Sequence, residues 1–330
     1  MLKYAPVVVF VYNRPNHTEE LLDSLAKCRH ADKTDVFVFA DGPKNEAARE
    51  NVSNVRSIIR KYEGTSQFSK YSIYESEINK GLAKSVISGV SEIISKYGRV
   101  IVLEDDLVVA PQFLDFMNGA LEAYEKDETK FAIAGWSYPL NELKKYDKDA
   151  WFFYRACSWG WGTWENRWNK VVWDHDKAGF EEKLKNPVWV DKFCRGGNDL
   201  PNMLKMQLEG KIDSWAVRWN AWAAELNMLT VYPKDAFVVN NGRDGSGVHS
   251  HEGQSDSSAS LRNDDFSGIS FASPKDEYLF DEIVFDKKLA DRAWLYESDT
   301  LTKKIKRNLR TIFVEHRVPN VVRRILHVDR

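Results

Sequence analysis

The chain has 330 residues, of which 43% are hydrophobic and 13% aromatic, enough for a buried core in one large or two modest domains. Its 47 basic and 49 acidic residues leave a net charge of −2, which argues against a nucleic-acid partner bound by the whole surface. The three cysteines are too few and too scattered for a disulfide framework, which favours a reducing, cytoplasmic location.

The first 135 residues predict an α/β fold with a mostly parallel sheet flanked by helices, because short β-branched runs alternate with helical patterns. The expected strands are residues 7–12, 35–40, 71–75 and 99–103. Amphipathic helices are expected at 17–28, capped by Asn16 or Thr18, and at 81–97. The first strand is too short to span a membrane and lacks the basic start of a signal peptide.

Residues 136–300 predict a mixed, aromatic-rich half that shapes the acceptor side. A strand is expected at 151–159 and mainly helix at 200–226. Seven of the twelve tryptophans lie from Trp136 to Trp173, where they could fill a core or stack on sugars. Residues 242–260 are rich in Gly, Ser, His and Asp, which predicts a long flexible loop of the kind that closes over a ligand.

Residues 301–330 form a basic tail with nine Lys and Arg against two acids, and apolar residues are interleaved among them. This pattern is typical of an amphipathic helix on an anionic membrane surface, where each basic residue contributes about 1 kcal/mol. It would place the protein at the inner face of the cell membrane. A solvated helix packed on its own domain is the alternative.

The clearest chemical signal is the run VIVLEDDLVV at residues 100–109. Glu104, Asp105 and Asp106 interrupt an apolar stretch, so they should lie at the end of a buried strand, where open α/β sheets bind their ligands. Neighbouring carboxylates repel each other, whereas a divalent metal uses them as hard oxygen ligands. A metal held there could neutralise a diphosphate.

In order and spacing, several motifs together resemble the GT-A glycosyltransferases. The likeness is to bacterial family-2-like inverting enzymes and, more distantly, to the N-acetylglucosaminyltransferase I group. It covers about residues 5–250. The motifs are VFVYNRP at 9–15, ADG at 40–42, NKGL at 79–82, LEDDL at 103–107, SWGWGTW at 158–164 and GRDGSGVH at 242–249. The resemblance implies a GT-A (Rossmann-like) fold whose first 135 residues bind a nucleotide-sugar.

The resemblance also implies roles for the acidic run. Asp106 would be the direct ligand of Mn²⁺ or Mg²⁺, while Glu104 and Asp105 would hold the ribose and the donor sugar. His249, in the Gly-rich loop, would complete the metal site or contact the diphosphate once the loop closes. A loop histidine without a ligand is the alternative.

Three residues that follow the other strands would join the donor site by the same resemblance. Asp41 and Arg14 would lie near the nucleoside, and Lys80 would approach the base or a phosphate. The two cations stand where an anion is expected. Alternatively, Arg14 is a surface residue and Asp41 a turn former. A wall for the acceptor or donor sugar is assigned by analogy to Trp159, Trp161 and Trp164.

Inverting transfer needs a base that takes the proton of the acceptor hydroxyl. Asp213, in GKIDSWAVRW, resembles the Asp-Asp-Trp segment that carries the base in the N-acetylglucosaminyltransferase I group. Aligning on Trp215, however, puts Ser214 opposite the second Asp of that segment. Asp199 therefore remains an alternative base.

The sequence thus predicts a metal-dependent inverting transferase of a hexose or N-acetylhexosamine. The donor would be a nucleotide-sugar, with UDP favoured, and the acceptor a saccharide or a lipid-linked oligosaccharide in surface polysaccharide synthesis. One alternative is a sugar-1-phosphate nucleotidyltransferase, although the first loop lacks the glycines that this class needs. The other is a non-catalytic carbohydrate-binding or scaffold protein of the same fold, against which the intact acidic run weighs. No phosphate loop or GxGxxG motif supports a kinase or a dehydrogenase.

Overall fold

The computed structural model describes residues 4–174, 179–242, 275 and 277–297. The strands in this part of the chain are β1 (Val7–Val11), β2 (Asp35–Ala40), β3 (Lys70–Glu75), β4 (Arg99–Glu104), β5 (Leu107–Val109), β6 (Lys130–Ala134), β7 (Ala150–Phe153), β8 (Trp161–Trp164), β9 (Leu229–Pro233) and β10 (Val238–Asn240). The helices are α1 (Pro15–Ala26), α2 (Arg49–Arg60), α3 (Leu82–Tyr97), α4 (Phe113–Ala123), α5 (Glu165–Trp168), α6 (Phe180–Lys183), α7 (Pro187–Cys194), α8 (Leu200–Leu208) and α9 (Trp215–Glu225). Residues 287–297 are also helical and are called α10.

Within the described ranges, eight strands form one sheet in the order β3-β2-β1-β4-β8-β6-β9-β7, and β5 pairs with β10 in a separate antiparallel ribbon. The first four strands of that order are mutually parallel, and β6 is parallel to β9. Strands β8 and β7 run antiparallel to their neighbours. The predicted fold class, a mostly parallel α/β sheet with a mixed, aromatic-rich second half, is confirmed.

Alternating residues of the central strands cover both faces of the sheet. Val7 and Val9 of β1 pack in the same core cluster as Leu21 of α1. Val8 of β1 packs in the opposite cluster, together with Val86 of α3. This burial on both faces explains the continuous apolar runs in the sequence, since a covered parallel strand has no solvent face.

The sheet passes without a break across the predicted boundary at residue 135. Strand β8, from the second half, lies between β4 and β6 and pairs with both. Strand β4 is therefore hydrogen-bonded to strands from both halves of the chain.

Helix α1 begins two residues earlier than predicted, at Pro15, with Arg14 as the N-cap residue. The cap expected at Asn16 or Thr18 is wrong. Proline is already restricted to a helical φ and needs no N–H partner in the first turn, so it can begin the helix itself. The Thr18 hydroxyl instead donates to the Arg14 carbonyl, 2.9 Å away.

The strand predicted at 151–159 stops at Phe153. The Asn220 side chain of α9 accepts from the Ala156 N–H at 2.7 Å and donates to its carbonyl at 3.1 Å. A side chain thus takes both backbone groups that a neighbouring strand would use. The helix predicted at 200–226 is two helices, α8 and α9, with Gly210 between them at a φ of +68°.

The described residues contain no helix long and apolar enough to cross a membrane.

Candidate functional site

The carboxyl ends of β1, β2 and β4 lie side by side. Val11 pairs with Ala40, and Phe10 pairs with Glu104. The residues that follow these strands therefore share one edge of the sheet, as the sequence predicts. The contacts confirm this closeness, because Asp105 Oδ2 accepts the backbone N–H of Tyr12 at 3.3 Å.

Arg14 lies against the acidic run. Its Nη1 is 3.2 Å from Asp106 Oδ2 and 3.5 Å from Asp105 Oδ1. The side chains of Arg14, Asp105 and Asp106 are only 12%, 14% and 21% exposed, so this ion-pair cluster is largely shielded from water. Poor screening makes such charges interact strongly. The simple surface interpretation of Arg14 does not hold.

The acidic run is electrostatically costly as it stands. Desolvation and the neighbouring charges of Asp106 and Asp105 raise the pKa of Glu104 to about 8. Desolvation also raises the pKa of Asp105 to about 6, although Arg14 opposes that shift. Both carboxylates are thus held in surroundings that disfavour their charge, and a bound cation would relieve this.

Asp41 is buried, and its carboxylate holds the loop before α3. Oδ1 accepts the Lys80 N–H at 2.8 Å and the Gly42 N–H at 2.9 Å. Oδ2 accepts the Gly81 N–H at 2.9 Å and the Asn79 amide at 3.1 Å. Asp41 therefore fixes the backbone that carries Lys80 at the same edge of the sheet.

Asp106 is also contacted by the chain that leaves β10. Its carbonyl accepts the Asn241 N–H at 2.8 Å, and Gly242 lies so close that a Cβ there would be 2.5 Å from Asp106 Oδ2. Only glycine fits at this position without displacing the Asp106 carboxylate. The ribbon of β5 and β10 thereby brings the start of the predicted loop onto Asp106. His249, further along that loop, lies outside the described residues.

The Asp213–Trp215 segment approaches the same carboxylates. The Trp215 side chain lies close enough to the Glu104 carboxylate to lower the pKa of Glu104. The Trp215 ring stacks on Trp161 at a centroid distance of 5.0 Å. The core therefore positions Trp215, and Trp215 in turn contacts the acidic run.

Asp213 lies beside the amino end of α3. A side chain at Gly81 would be 3.9 Å from Asp213 Oδ2. The Asp213 side chain is 66% exposed and pairs with Arg218 at 3.2 Å, whose own side chain is 11% exposed. Both line a groove of about 280 Å³ along α3, together with Lys84 and Ser88. The Asp213 carboxylate is thus accessible to a ligand, and the buried guanidinium of Arg218 holds it in place.

Asp199 lies in a different network. Arg155 donates to it from Nη1 at 2.8 Å and from Nη2 at 2.9 Å. The Arg155 Nε is also 3.6 Å from Glu297 Oε1, to which the Tyr138 hydroxyl donates at 2.6 Å. This arrangement joins α8 and α10 to the end of β7, so the structure gives Asp199 a role in packing.

The predicted sugar wall needs correction. Trp161 and Trp164 are buried in the core at 0% and 2% exposure. Trp161 stacks on other tryptophans, and Trp164 donates its indole N–H to the Leu121 carbonyl at 2.9 Å. Residues on a pleated strand covered on both faces have no access to a ligand. Trp159 is only partly buried and packs edge-on against Trp136, so it alone of the three has surface to offer.

The donor atoms present fit a hard divalent cation. Asp106 offers a partly exposed carboxylate at a strand end, next to two carboxylates whose charge is disfavoured. In the described part of the chain, no three or more His, Cys, Asp or Glu side chains converge as a metal site. A cation on Asp106 would therefore take its other ligands from water, from a diphosphate or from residues outside the described ranges.

Sequence reasoning missed two contributors. Trp215 served only as an alignment landmark, although its side chain contacts Glu104. Arg218 carried one signal, a charge within the aromatic stretch WAVRWNAW, which indicates a buried cation in need of an anion.

The chain is also similar to known proteins. A family model described as the GNT-I family matches residues 1–187, which is more than half of the chain. The chain belongs to the GNT-I family. The predicted resemblance to the N-acetylglucosaminyltransferase I group is thereby confirmed.

One relative is an alpha-1,3-mannosyl-glycoprotein 2-beta-N-acetylglucosaminyltransferase of Arabidopsis thaliana. It is 30% identical over 153 residues, which cover 41% of this chain and 33% of that protein. The chain thus spans about a third of the length of the curated relative that it matches.

Solved structures show weaker likeness. S. aureus TarS is 19% identical with a TM-score of 0.29, over 39% of this chain and 21% of TarS. The galactosyltransferase LgtC, crystallised with donor and acceptor sugar analogues, is 11% identical with a TM-score of 0.37. That match covers 68% of this chain and 72% of LgtC.

Proposed function

We propose that this protein is a metal-dependent inverting glycosyltransferase that uses a nucleotide-sugar donor, with UDP-sugars favoured. One observation carries the proposal. Trp215, whose side chain lowers the pKa of Glu104 at the carboxyl end of the central strand, lies two residues after Asp213. The carboxylates that would hold the donor and the base that would activate the acceptor are thus linked by one short segment. Membership of the GNT-I family supports the same activity.

The donor would lie along the edge of the sheet. Its diphosphate would face Arg14 and Lys80, because guanidinium and ammonium groups bind phosphate oxygens. Glu104 and Asp105 would accept hydrogen bonds from ribose and sugar hydroxyls, and Asp41 would hold the Lys80 backbone in place. These residues orient the anomeric carbon toward Asp213.

Asp106, and His249 from the loop, would hold Mn²⁺ or Mg²⁺. A bound divalent cation supplies a Lewis acid that offsets the charge of the departing diphosphate. Arg14 would contribute to the same end, since its guanidinium would place a poorly hydrated positive charge beside the leaving group.

Asp213 would act as the base. The acceptor hydroxyl gives its proton to the Asp213 carboxylate while its oxygen forms a bond to the anomeric carbon. The bond from that carbon to the diphosphate oxygen breaks, and the anomeric configuration inverts. Arg218 holds the carboxylate in position, and the groove along α3 gives the acceptor a place to lie.

The name of the Arabidopsis relative makes N-acetylglucosamine the first sugar to test. We place the acceptor among saccharides and lipid-linked oligosaccharides of surface polysaccharide synthesis. The basic residues 301–330, which lie outside the described ranges, would hold the protein at the cytoplasmic face of the membrane.

The test compares Asp213→Asn with Asp199→Asn in a transfer assay with the nucleotide-sugar that binds. Loss of the base should lower kcat about 10²- to 10⁴-fold in Asp213→Asn with little change in donor affinity. Asp199→Asn should lower thermal stability and leave kcat within a few fold. The reverse pattern would reassign the base to Asp199.

The released product distinguishes the alternatives. A glycosyltransferase releases a nucleoside diphosphate, whereas a sugar-1-phosphate nucleotidyltransferase forms pyrophosphate from a nucleoside triphosphate. Donor binding without any turnover over a broad acceptor set would favour the carbohydrate-binding alternative.

A further inference from the structure

We propose that Arg14 is an internal counter-ion that occupies Asp106 until a donor arrives, so that the divalent cation and the nucleotide bind together. This inference rests on the proposed function, because it assigns the order in which that site fills. The Arg14 guanidinium would move from the Asp106 carboxylate to the diphosphate of the donor.

The first support is the position of Arg14. Its Nη1 lies 3.2 Å from Asp106 Oδ2, the carboxylate proposed to hold the cation, and 3.5 Å from Asp105 Oδ1. The Arg14 side chain is 12% exposed, so water screens its charge poorly. A free cation that approached Asp106 Oδ2 would meet a positive charge already bonded to that oxygen.

The chain at Gly242 also comes close to the same oxygen. Gly242 approaches so closely that a Cβ there would be 2.5 Å from Asp106 Oδ2. The Gly242 backbone on one side and the guanidinium on the other thus flank the same carboxylate oxygen. A cation and Arg14 therefore compete for Asp106 Oδ2.

The second support is the anchoring of the Arg14 backbone. Its carbonyl accepts from the Thr18 N–H at 3.0 Å and from the Thr18 hydroxyl at 2.9 Å. The start of α1 is thus fixed, and only the long side chain has to swing. Its guanidinium can exchange a carboxylate for diphosphate oxygens, for which its planar donors are well matched.

The exchange avoids a buried, unpaired charge. Without a diphosphate, a cation on Asp106 would take from a poorly hydrated guanidinium one of its two carboxylate partners, which is unfavourable. With a diphosphate, Arg14 keeps an anion and the cation gains phosphate oxygens as ligands. Nucleotide and cation should therefore strengthen each other's binding by the same factor.

The experiment measures Mn²⁺ binding without nucleotide, then UDP binding at saturating Mn²⁺, by calorimetry. The proteins are the wild type, Arg14→Gln, Arg14→Lys and the control Arg29→Gln, which removes an arginine paired with Asp115 beyond the other end of α1. Arg14→Gln should bind Mn²⁺ alone about tenfold tighter, since a charged hydrogen bond no longer competes. The same variant should bind UDP with Mn²⁺ about tenfold more weakly. Arg14→Lys keeps the charge and should stay near the wild type for Mn²⁺ alone, as should Arg29→Gln.

Unchanged or weaker Mn²⁺ binding by a folded Arg14→Gln would overturn the inference. The wild type gives a test without any variant, because its Mn²⁺ affinity should rise when UDP is present, and no rise would equally overturn it. Failure of the wild type to bind UDP under any condition would instead contradict the proposed function. In that case Mn²⁺ binding to Arg14→Gln still decides whether Arg14 competes for Asp106.

Discussion

At the scale of single residues, the indole of Trp215 connects the acidic run to the hydrophobic core. It is 3% exposed, stacks on Trp161 and lowers the pKa of Glu104. The indole thus favours ionised Glu104 in surroundings that otherwise disfavour its charge. Glu104 should therefore lose affinity for a donor sugar when this indole N–H is removed.

The variant Trp215→Phe tests this link, with Trp219→Phe as a matched control. Trp219 is also buried in the same aromatic cluster, but its indole N–H has no hydrogen-bond partner within the described structure. Both variants should lower the free energy of unfolding by a similar amount, because both remove part of a packed ring. Only Trp215→Phe should weaken nucleotide-sugar binding, by about tenfold in calorimetry. Equal donor binding by the two variants would show that the contact to Glu104 is incidental.

The acidic run could be predicted at the residue scale because three adjacent carboxylates at the end of an apolar run repel each other unless a cation is bound. Trp215 and Gly242 could not, because their roles depend on which distant segments meet. The sequence separates Trp215 from Glu104 by more than a hundred residues, and the fold places them in contact. The tryptophan motif at 158–164 was misread in part, because periodicity does not show that a β8 residue is covered on both faces.

At the scale of elements, a buried charge network joins α8 and α10 to the sheet. Arg155, just after β7, pairs with Asp199 and Glu297 while 11% exposed. The Trp294 indole of α10 adds a hydrogen bond to the Cys194 carbonyl at 2.8 Å. These contacts explain why a polar helix near the end of the described chain stays docked.

The variant Arg155→Met should lower the free energy of unfolding by about 3 kcal/mol, because it leaves two poorly hydrated carboxylates without their cation. Urea denaturation measures the loss. The control Arg60→Met breaks an ion pair with Glu75 in which the arginine is 54% exposed, and it should cost less than about 1 kcal/mol. Equal losses of unfolding free energy would show that the Arg155 network contributes no more to stability than an exposed ion pair does.

Strands β1, β2 and β4 could be predicted within one residue because burial on both faces leaves uninterrupted apolar runs. Element ends set by side chains were harder to predict. The strand predicted at 151–159 ends at Phe153, and Asn220, on a distant helix, then binds both backbone groups of Ala156. No local pattern in the sequence contains that information.

At the scale of the whole molecule, both predicted halves build one sheet and one candidate site. Strand β8 of the second half pairs with β4, which carries the acidic run, and the Asp213 segment comes from the second half as well. The first 135 residues therefore lack a strand neighbour of β4 and the Trp215 contact to Glu104. The division into a donor half and an acceptor half remains a description of roles in the proposed reaction.

The basic tail also belongs to this scale. A protein that lacks residues 301–330 should lose most of its binding to vesicles that contain anionic lipid, since nine basic residues each contribute about 1 kcal/mol near such a surface. Vesicle sedimentation at low and high salt measures this, and the wild type should be released by salt. Unchanged sedimentation of the truncated protein would contradict the membrane proposal and favour a helix packed on its own domain.

The most direct test of the account is nucleoside-diphosphate binding to the wild type, Asp106→Ala and the exposed control Asp147→Ala. Calorimetry would cover UDP, GDP, CDP and ADP, each with Mn²⁺ and with EDTA. We expect one nucleotide to bind, with UDP favoured, only when Mn²⁺ is present. That binding should be lost in Asp106→Ala and kept in Asp147→Ala. Metal-independent binding, equal binding by Asp106→Ala, or no binding of any nucleotide to the wild type would contradict the account.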